Sequence, residues 1–331
     1  MARDESQPEG WQVAVPATSA NLGCAFDCAG LALRVYLRAT FFPSVSTDSG
    51  PPGLTVAYQG RTPELVPVDE SNLLLRSMQF AAGQLGLPAL CGQILTENDI
   101  PMGAGLGSSA AAVVAGLLLA VHHSNQDVPH EQLLGWAHQI EDHVDNAAAA
   151  CCGGLVFAMA GAGAGRVATF KASFPESLRL ILVIPEVMVS TREARNVLPR
   201  YYYRGEVLHS LQRVAALAAT CFSGKYELFP EMFDDRLHQP YRRQLVPGMT
   251  RCLQYRHEGL RGVVISGSGS AILAFAGKNE DRIAADLRRI FDEEGVRTET
   301  IMTSADNQGA IVSRAFRAAP VNLVAAAGEH P

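Results

Sequence analysis

Charge is scarce in this chain and aromatic residues are scarcer: 18% of its 331 residues are Asp, Glu, Lys or Arg, and 7% are Phe, Trp or Tyr. There is no basic excess, since 27 Lys and Arg stand against 33 Asp and Glu for a formal charge of −6. That excludes a surface built for nucleic acid or an anionic membrane and leaves only a local cationic pocket to look for. Neither HExxH nor CxxC occurs, and the seven cysteines (Cys24, Cys28, Cys91, Cys151, Cys152, Cys221, Cys252) are odd in number and irregular in spacing. No zinc site and no disulfide framework is therefore expected, and the cysteines read as small buried hydrophobes in a reducing compartment. The opening MARDESQPEG has no apolar run of the signal-peptide kind, so a cytoplasmic location is expected. The 19 uncharged residues Ala147–Gly165 do not make a membrane span. Gly153-Gly154 and the Gly161, Gly163, Gly165 cluster break them into a helix end, a short strand Leu155–Met159 and a turn.

What is present is an ordinary globular composition, 48% hydrophobic. At roughly 150 residues per domain the length suggests about two domains. Val13–Val15, Arg34–Phe42, Leu54–Tyr58 and Cys91–Leu95 read as strands and Asn72–Leu85 as an amphipathic helix. Ser44–Gly53 reads as the loop of a hairpin. Ser108–His122 is apolar nearly all round, which predicts a helix buried on every side. Leu178–Ile184 is a fully apolar strand, and helical patterns then run from Glu193 to about Glu258. Val263–Ser266, Ala271–Phe275 and Val296–Thr303 read as strands around a helix at Glu280–Glu294. Mixed strands and helices in this order predict an α+β fold with a boundary near residues 165–180.

The most informative segment is Ile100–Ala112, IPMGAGLGSSAAA. Alternating Gly103, Gly105 and Gly107 free the backbone to turn its N–H groups inward, and Ser108-Ser109 open a helix whose positive end faces the same point. Such a nest binds phosphate. A dinucleotide fingerprint would need glycine where Ser108 stands. A Walker loop would need Gly-Lys-Ser/Thr, whereas the two Gly-Lys pairs here are followed by Tyr226 and Asn279. The plainer alternative is a tight turn capped by Ser108, with no ligand.

This segment resembles the glycine-rich ATP loop of the GHMP kinases. Two further segments are similar to that family in order and spacing: VPATSANLGCAFDCAGLAL (Val15–Leu33) and VVISGSGSAILAF (Val263–Phe275). The resemblance implies a two-domain fold: an N-terminal ATP-loop domain of ribosomal S5 domain 2-like type over 1–170, and a C-terminal ferredoxin-like α/β-plait over 171–331. It implies ATP as donor, bound along Pro101, Met102, Gly103, Ala104, Gly105, Leu106, Gly107, Ser108 and Ser109, with Asn72 at the nucleoside. Mg²⁺ would be held by Ser109 and Glu141.

The acceptor end is similar to the homoserine kinase branch of the family. SANLG…FD, EDHVDN, STREAR and HQPYR match the segments that line its amino-acid pocket, which implies substrate contacts at Asn21, Asp27, His143, Asp145, Asn146, Thr191, Arg195 and Arg242. The chemistry agrees, because paired arginines clamp a carboxylate, a carboxylate holds an ammonium and amides orient a hydroxyl. The implied reaction is phosphorylation of L-homoserine in threonine biosynthesis; the alternatives are another GHMP small-molecule kinase, of mevalonate or sugar type, and a catalytically silent sensor that keeps the ATP fold. Asn21 would align the hydroxyl, and Asp145 would be either its base or an orienting group. Taken singly, these residues also have plainer readings: His143 as a structural histidine, Asp145-Asn146 as the cap of a helix at Ala147–Cys151, and Arg195 as a surface residue. The chain departs from the family at Cys24-Ala25 and Ser270-Ala271, where loop shape more than charge is changed. Tyr201-Tyr202-Tyr203 are expected to pack or to form a lid, Cys151-Cys152 to be buried at a helix end, and the terminal APVNLVAAAGEHP to fray. The partners expected are small molecules; a homodimer is compatible with the sequence, which does not fix the oligomer.

Overall fold

The computed structural model describes residues 10–44, 53–161, 165–226 and 229–316. The terminal segment expected to fray and most of the expected hairpin loop lie outside the described residues. In chain order the first part comprises β1 (Gly10–Ala20), β2 (Ala29–Pro43), β3 (Leu54–Gly60), α1 (Leu73–Gln84), β4 (Gly92–Asn98), α2 (Ser108–Ser124), α3 (His130–Ile140), α4 (Asp145–Cys152), β5 (Leu155–Ala160) and β6 (Val167–Ala172). The second comprises β7 (Arg179–Pro185), α5 (Thr191–Asn196), α6 (Arg204–Ser223), α7 (Phe229–Met232), α8 (Gln239–Arg242), α9 (Met249–Gln254), β8 (Leu260–Ile265), β9 (Ile272–Ala276), α10 (Glu280–Glu293), β10 (Thr298–Thr303) and β11 (Ile311–Ala315).

The first sheet runs β11-β1-β2-β4-β3, with β5 and β6 added where β2 begins. β2 is long enough to serve two neighbours: Ala29–Leu31 pair with β5, and Leu37–Pro43 pair with β4. The expected hairpin between β2 and β3 is not formed. β4 lies between them, antiparallel to β2 and parallel to β3. That arrangement is non-local, and no turn signal in the sequence encodes it. α2 fills the centre, with eleven residues from Ala110 to Val121 buried, as its unbroken apolar character predicts. Gly116 lets α1 approach closely, since a Cβ there would overlap the Leu74 carbonyl oxygen. Loss of a side chain such as Leu117, fully buried in this core, costs about 2–5 kcal/mol.

The second sheet is antiparallel, in the order β10-β7-β9-β8. With α10 between β9 and β10 and helices between β7 and β8, this is the βαββαβ pattern of a ferredoxin-like plait. Its strand β7 is apolar from Leu180 onward because both faces are covered there. Leu180, Leu182 and Ile184 join the large core shared with the first sheet, while Ile181 and Val183 face a smaller core formed with Ile283, Leu287 and Phe291 of α10. The division expected after residue 170 falls within β6. The chain also recrosses it: β11, from the C-terminal stretch, pairs antiparallel with β1 and so completes the edge of the first sheet. The uncharged stretch 147–165 is broken as expected, by the end of α4 and by β5. None of the described helices is long and apolar enough to cross a membrane.

Candidate active site

The three motifs of the sequence meet at one place. Gly103, Gly105 and Gly107 have φ of 66°, 75° and 69°, the left-handed region where only glycine is unstrained. The loop's carbonyls are tied to its neighbours: Leu106 O accepts from Thr18 N at 3.0 Å, Ala104 O from Ala271 N at 3.1 Å, and Gly105 O from Ser266 Oγ at 2.8 Å. Asn21 Nδ2 donates to Gly267 O at 2.8 Å, joining the first motif to the last. Gly107, not Ser108, is the N-cap of α2, and no side chain caps that helix end. The capping alternative for Ser108 is thereby removed. The positive pole of a seventeen-residue helix is left to a ligand.

A cavity of about 1000 Å³ runs from this helix end in both directions. Every residue expected at the nucleotide lines it except Ala104, which is buried behind the loop. On the nucleoside side the walls include Tyr58, Pro67 and Asn98. Asn72 lines the cavity too, yet its amide caps α1: Oδ1 accepts from Leu74 N and Leu75 N, and Nδ2 donates to Pro67 O at 2.6 Å. It shapes the wall more than it reaches for a base. Ser109 and Glu141 stand together below the loop. Burial pushes the Glu141 carboxyl up, and the Ser109 hydroxyl bonded to it and the nearby His143 pull the other way. Glu141 Oε2 is buried without a hydrogen-bond partner.

On the other side lies a compact charged pocket. α4 begins at Asp145, which is buried; its Oδ1 accepts from Asn146 N at 2.7 Å and Nδ2 at 3.2 Å and stands 3.5 Å from His143 Nδ1. The nearby Asp145 carboxylate raises the His143 pKa above its ordinary value, against the opposing effect of burial. Asn146 Oδ1 accepts from Thr18 Oγ1 at 2.7 Å. Asp145-Asn146 do open α4, but Val144 is its N-cap and the Asn146 side chain is turned to β1, so capping does not account for the pair. Across the pocket, Ser190 and Glu193 form a capping box that starts α5. Thr191 and Arg195, four residues apart, then share one face of that helix and line the cavity.

Arg195 is half exposed and binds both oxygens of Asp27 at 3.2 Å. Arg242 is buried: Nε donates to Ala194 O at 3.1 Å and Nη1 to Gly267 O at 2.9 Å, and burial lowers its pKa to about 10, which leaves it charged at neutral pH. All eight residues expected at the substrate are therefore brought to one pocket. Sequence reasoning passed over two of their neighbours. Phe26 lies under both guanidinium groups, 5.1 Å from Arg242 and 6.0 Å from Arg195. His238 stacks on Phe26 at 5.2 Å, with Nε2 2.7 Å from Gly23 O and Nδ1 3.4 Å from Arg242. Both sit inside quoted motifs, and charge patterning gave no reason to single them out. The tyrosine triplet does not cover the cavity. Tyr202 packs on Tyr241 and bonds Leu237 O at 2.9 Å, while Tyr201 and Tyr203 are exposed.

A helix end open to phosphate, facing a small polar pocket across one cavity, is what a kinase of small molecules requires. Residues 72–154 match the GHMP kinases N terminal domain, and residues 214–295 match the GHMP kinases C terminal domain. The chain belongs to the GHMP kinase family and is an ATP-dependent phosphotransferase. Among its curated relatives, the homoserine kinase of Solibacter usitatus is 34% identical over 303 residues, 91% of this chain and 96% of that protein. That of Desulfitobacterium hafniense is 35% identical over 91% of this chain and 99% of its own length. The crystal structure of homoserine kinase from Cytophaga hutchinsonii is similar with a TM-score of 0.82 at 26% identity, covering 95% of this chain and 100% of that one.

Proposed function

We propose that this chain transfers the γ-phosphoryl of ATP to the side-chain hydroxyl of L-homoserine, giving O-phospho-L-homoserine. The observation that carries the substrate is the pairing, beside the helix end of α2, of a buried arginine with an arginine-carboxylate couple: Arg242, Arg195 and Asp27. A small amino acid supplies the complement, its carboxylate to the arginines and its ammonium to Asp27. Mevalonate has no ammonium to offer Asp27, and a sugar has no use for paired arginines. The kinases of the curated relatives act on homoserine by name, which supports the same reading.

In this reading the backbone N–H groups from Gly103 to Ser109 and the pole of α2 take the phosphates and neutralise charge in a loose transition state. Ser109 and Glu141 would hold Mg²⁺, which supplies charge neutralisation at the phosphates when bound; their hard oxygens, with Glu141 Oε2 buried and unpartnered, suit that ion. Asn21 and Asn146 orient the hydroxyl, and Asp145, fixed by Asn146, aligns the acceptor. Seven cysteines, none of them paired, and ATP as donor fit a reducing, cytoplasmic setting. ADP release, measured in a coupled assay with homoserine, serine, threonine, mevalonate and galactose, tests the assignment. Turnover is expected to be highest on homoserine. Turnover of mevalonate or galactose with none on homoserine rejects it.

A further inference from the structure

Among the described residues outside the catalytic cavity, one group of side chains has the chemistry of a metal-ligand set. His130 begins α3, and Cys151 and Cys152 end α4. Each offers one ligand atom, and the three atoms lie within 4.8 Å of one another. None of the three lines the cavity. Adjacent residues on a helix ordinarily point about 100° apart, so two neighbouring thiols converge on an outside group only where the turn ends. α4 ends there, at Gly153. Its last carbonyls are fixed: Cys151 O accepts from Ala310 N at 3.2 Å, and Cys152 O from Lys171 Nζ at 2.7 Å. The thiols are therefore held in place from behind. Cys151 is buried, Cys152 is half-buried and His130 is exposed, so the cluster opens to solvent through the imidazole.

We propose that His130, Cys151 and Cys152 form a binding site for a thiophilic cation of the zinc class, separate from the kinase site. Two sulfurs and an imidazole suit Zn²⁺ and exclude Mg²⁺, which takes hard oxygens. Bond lengths of about 2.0–2.3 Å set tetrahedral ligands roughly 3.5–3.8 Å apart, so a small rotation of the exposed His130 closes the set and water completes it. The position gives the site a lever on the catalytic centre. α3 runs on to Glu141, and α4 starts at Asp145. A cation here braces the far ends of the two helices whose near ends carry Glu141, His143, Asp145 and Asn146.

The test is a titration of the full chain with Co²⁺ in excess Mg²⁺, without ATP, followed by displacement with Zn²⁺. The expected result is one equivalent of Co²⁺ with a thiolate-to-metal charge-transfer band that Zn²⁺ abolishes. Cys152→Ser and Cys151→Ser should lose the band, and His130→Ala should weaken binding at least about tenfold. Because His130 is exposed, that variant stays folded and keeps the result readable even if Cys151→Ser does not. A Cys28→Ser, Cys91→Ser double variant should bind as the wild type does. No thiolate band at one equivalent, unchanged affinity in His130→Ala, or loss of the band in the double variant overturns the site.

Discussion

Asp27 and Arg195 hold each other through two parallel hydrogen bonds of 3.2 Å at the mouth of the substrate pocket. Both side chains are 40% exposed, so their pairing contributes about 0–1 kcal/mol and opens readily. An amino acid can part them without leaving either charge alone, since it brings one partner for each. A carboxylic acid without an ammonium would free Arg195 and strand Asp27. On the proposed function, selectivity against des-amino substrates begins with an ion pair that closes on itself.

Removing either arginine should cost substrate binding, but the two losses should differ in kind. Arg195→Ala is expected to raise the homoserine KM and lower kcat/KM by about ten- to a hundredfold while sparing the KM for ATP. Arg242→Ala should do the same and also lower Tm, because Arg242 is buried and donates to Ala194 O and Gly267 O. Steady-state kinetics with melting curves check both. A weakened ATP KM with homoserine unaffected would contradict the clamp.

Asp27→Asn and Asp145→Asn separate binding from chemistry. The first should raise the homoserine KM and reduce discrimination against des-amino analogues. The second should lower kcat less than about a hundredfold and keep the acidic limb of the pH profile, because an amide oxygen still accepts from Asn146 and a loose transition state gains little from an early base. A kcat loss beyond about a thousandfold with that limb gone would make Asp145 the general base.

Within the glycine loop, Gly103→Ala and Gly105→Ala should part company. A Cβ on Gly105 overlaps the Ser266 carbonyl oxygen, so that variant disturbs the junction of the motifs and should lose stability heavily. A Cβ on Gly103 meets only the flexible end of Met188, leaving about 1–2 kcal/mol for the left-handed backbone. Its ATP affinity should fall with a small change in Tm. Calorimetry with ATP and thermal melts distinguish the two. Equal Tm losses would show that packing does not separate them.

His238 gives the fold a pH dependence of defined sign. Burial lowers its pKa, with the Asp235 carboxylate opposing and the Arg242 charge reinforcing the shift. Nε2 donates to Gly23 O, leaving Nδ1 to face Arg242. The unfolded chain then takes up the proton first, so the contribution of neutral His238 is full above about pH 6.5 and is lost as pH falls through the lower folded value. The wild-type Tm should drop between pH 7.5 and pH 5 by more than that of His238→Gln. Parallel melts at the two pH values check this, and an identical drop would place the proton elsewhere.

The glycine loop and the helix behind it were legible because each rests on a local signal, alternating glycines before a serine pair and an uninterrupted apolar run. The charged pocket was legible only through the family resemblance of SANLG…FD, EDHVDN, STREAR and HQPYR, since His143, Asp145-Asn146 and Arg195 taken singly read as structural or surface residues. β4 between β2 and β3 was not legible, because strand neighbours are chosen by packing across the sequence and not by the turn that leaves a strand. α3 went unread although Leu133, Leu134 and Trp136 are buried, since it follows Pro129 with no side-chain cap to announce it. Phe26 and His238 were missed for a different reason. An aromatic ring under two guanidinium groups is a relation among three chain segments, visible only once the chain has folded.

β11 has an outcome for the order of synthesis. The strand that borders β1 is made from residues 311–315, so a nascent chain that has emerged only through β6 still carries β1 as an open edge. An unpaired strand edge is a template for other chains. The ribosome must therefore deliver almost the whole sequence before the first sheet closes, and until then protection of β1 falls to chaperones or to speed. A gene cut between the halves would leave one fragment with an exposed edge and the other with the strand that should cover it.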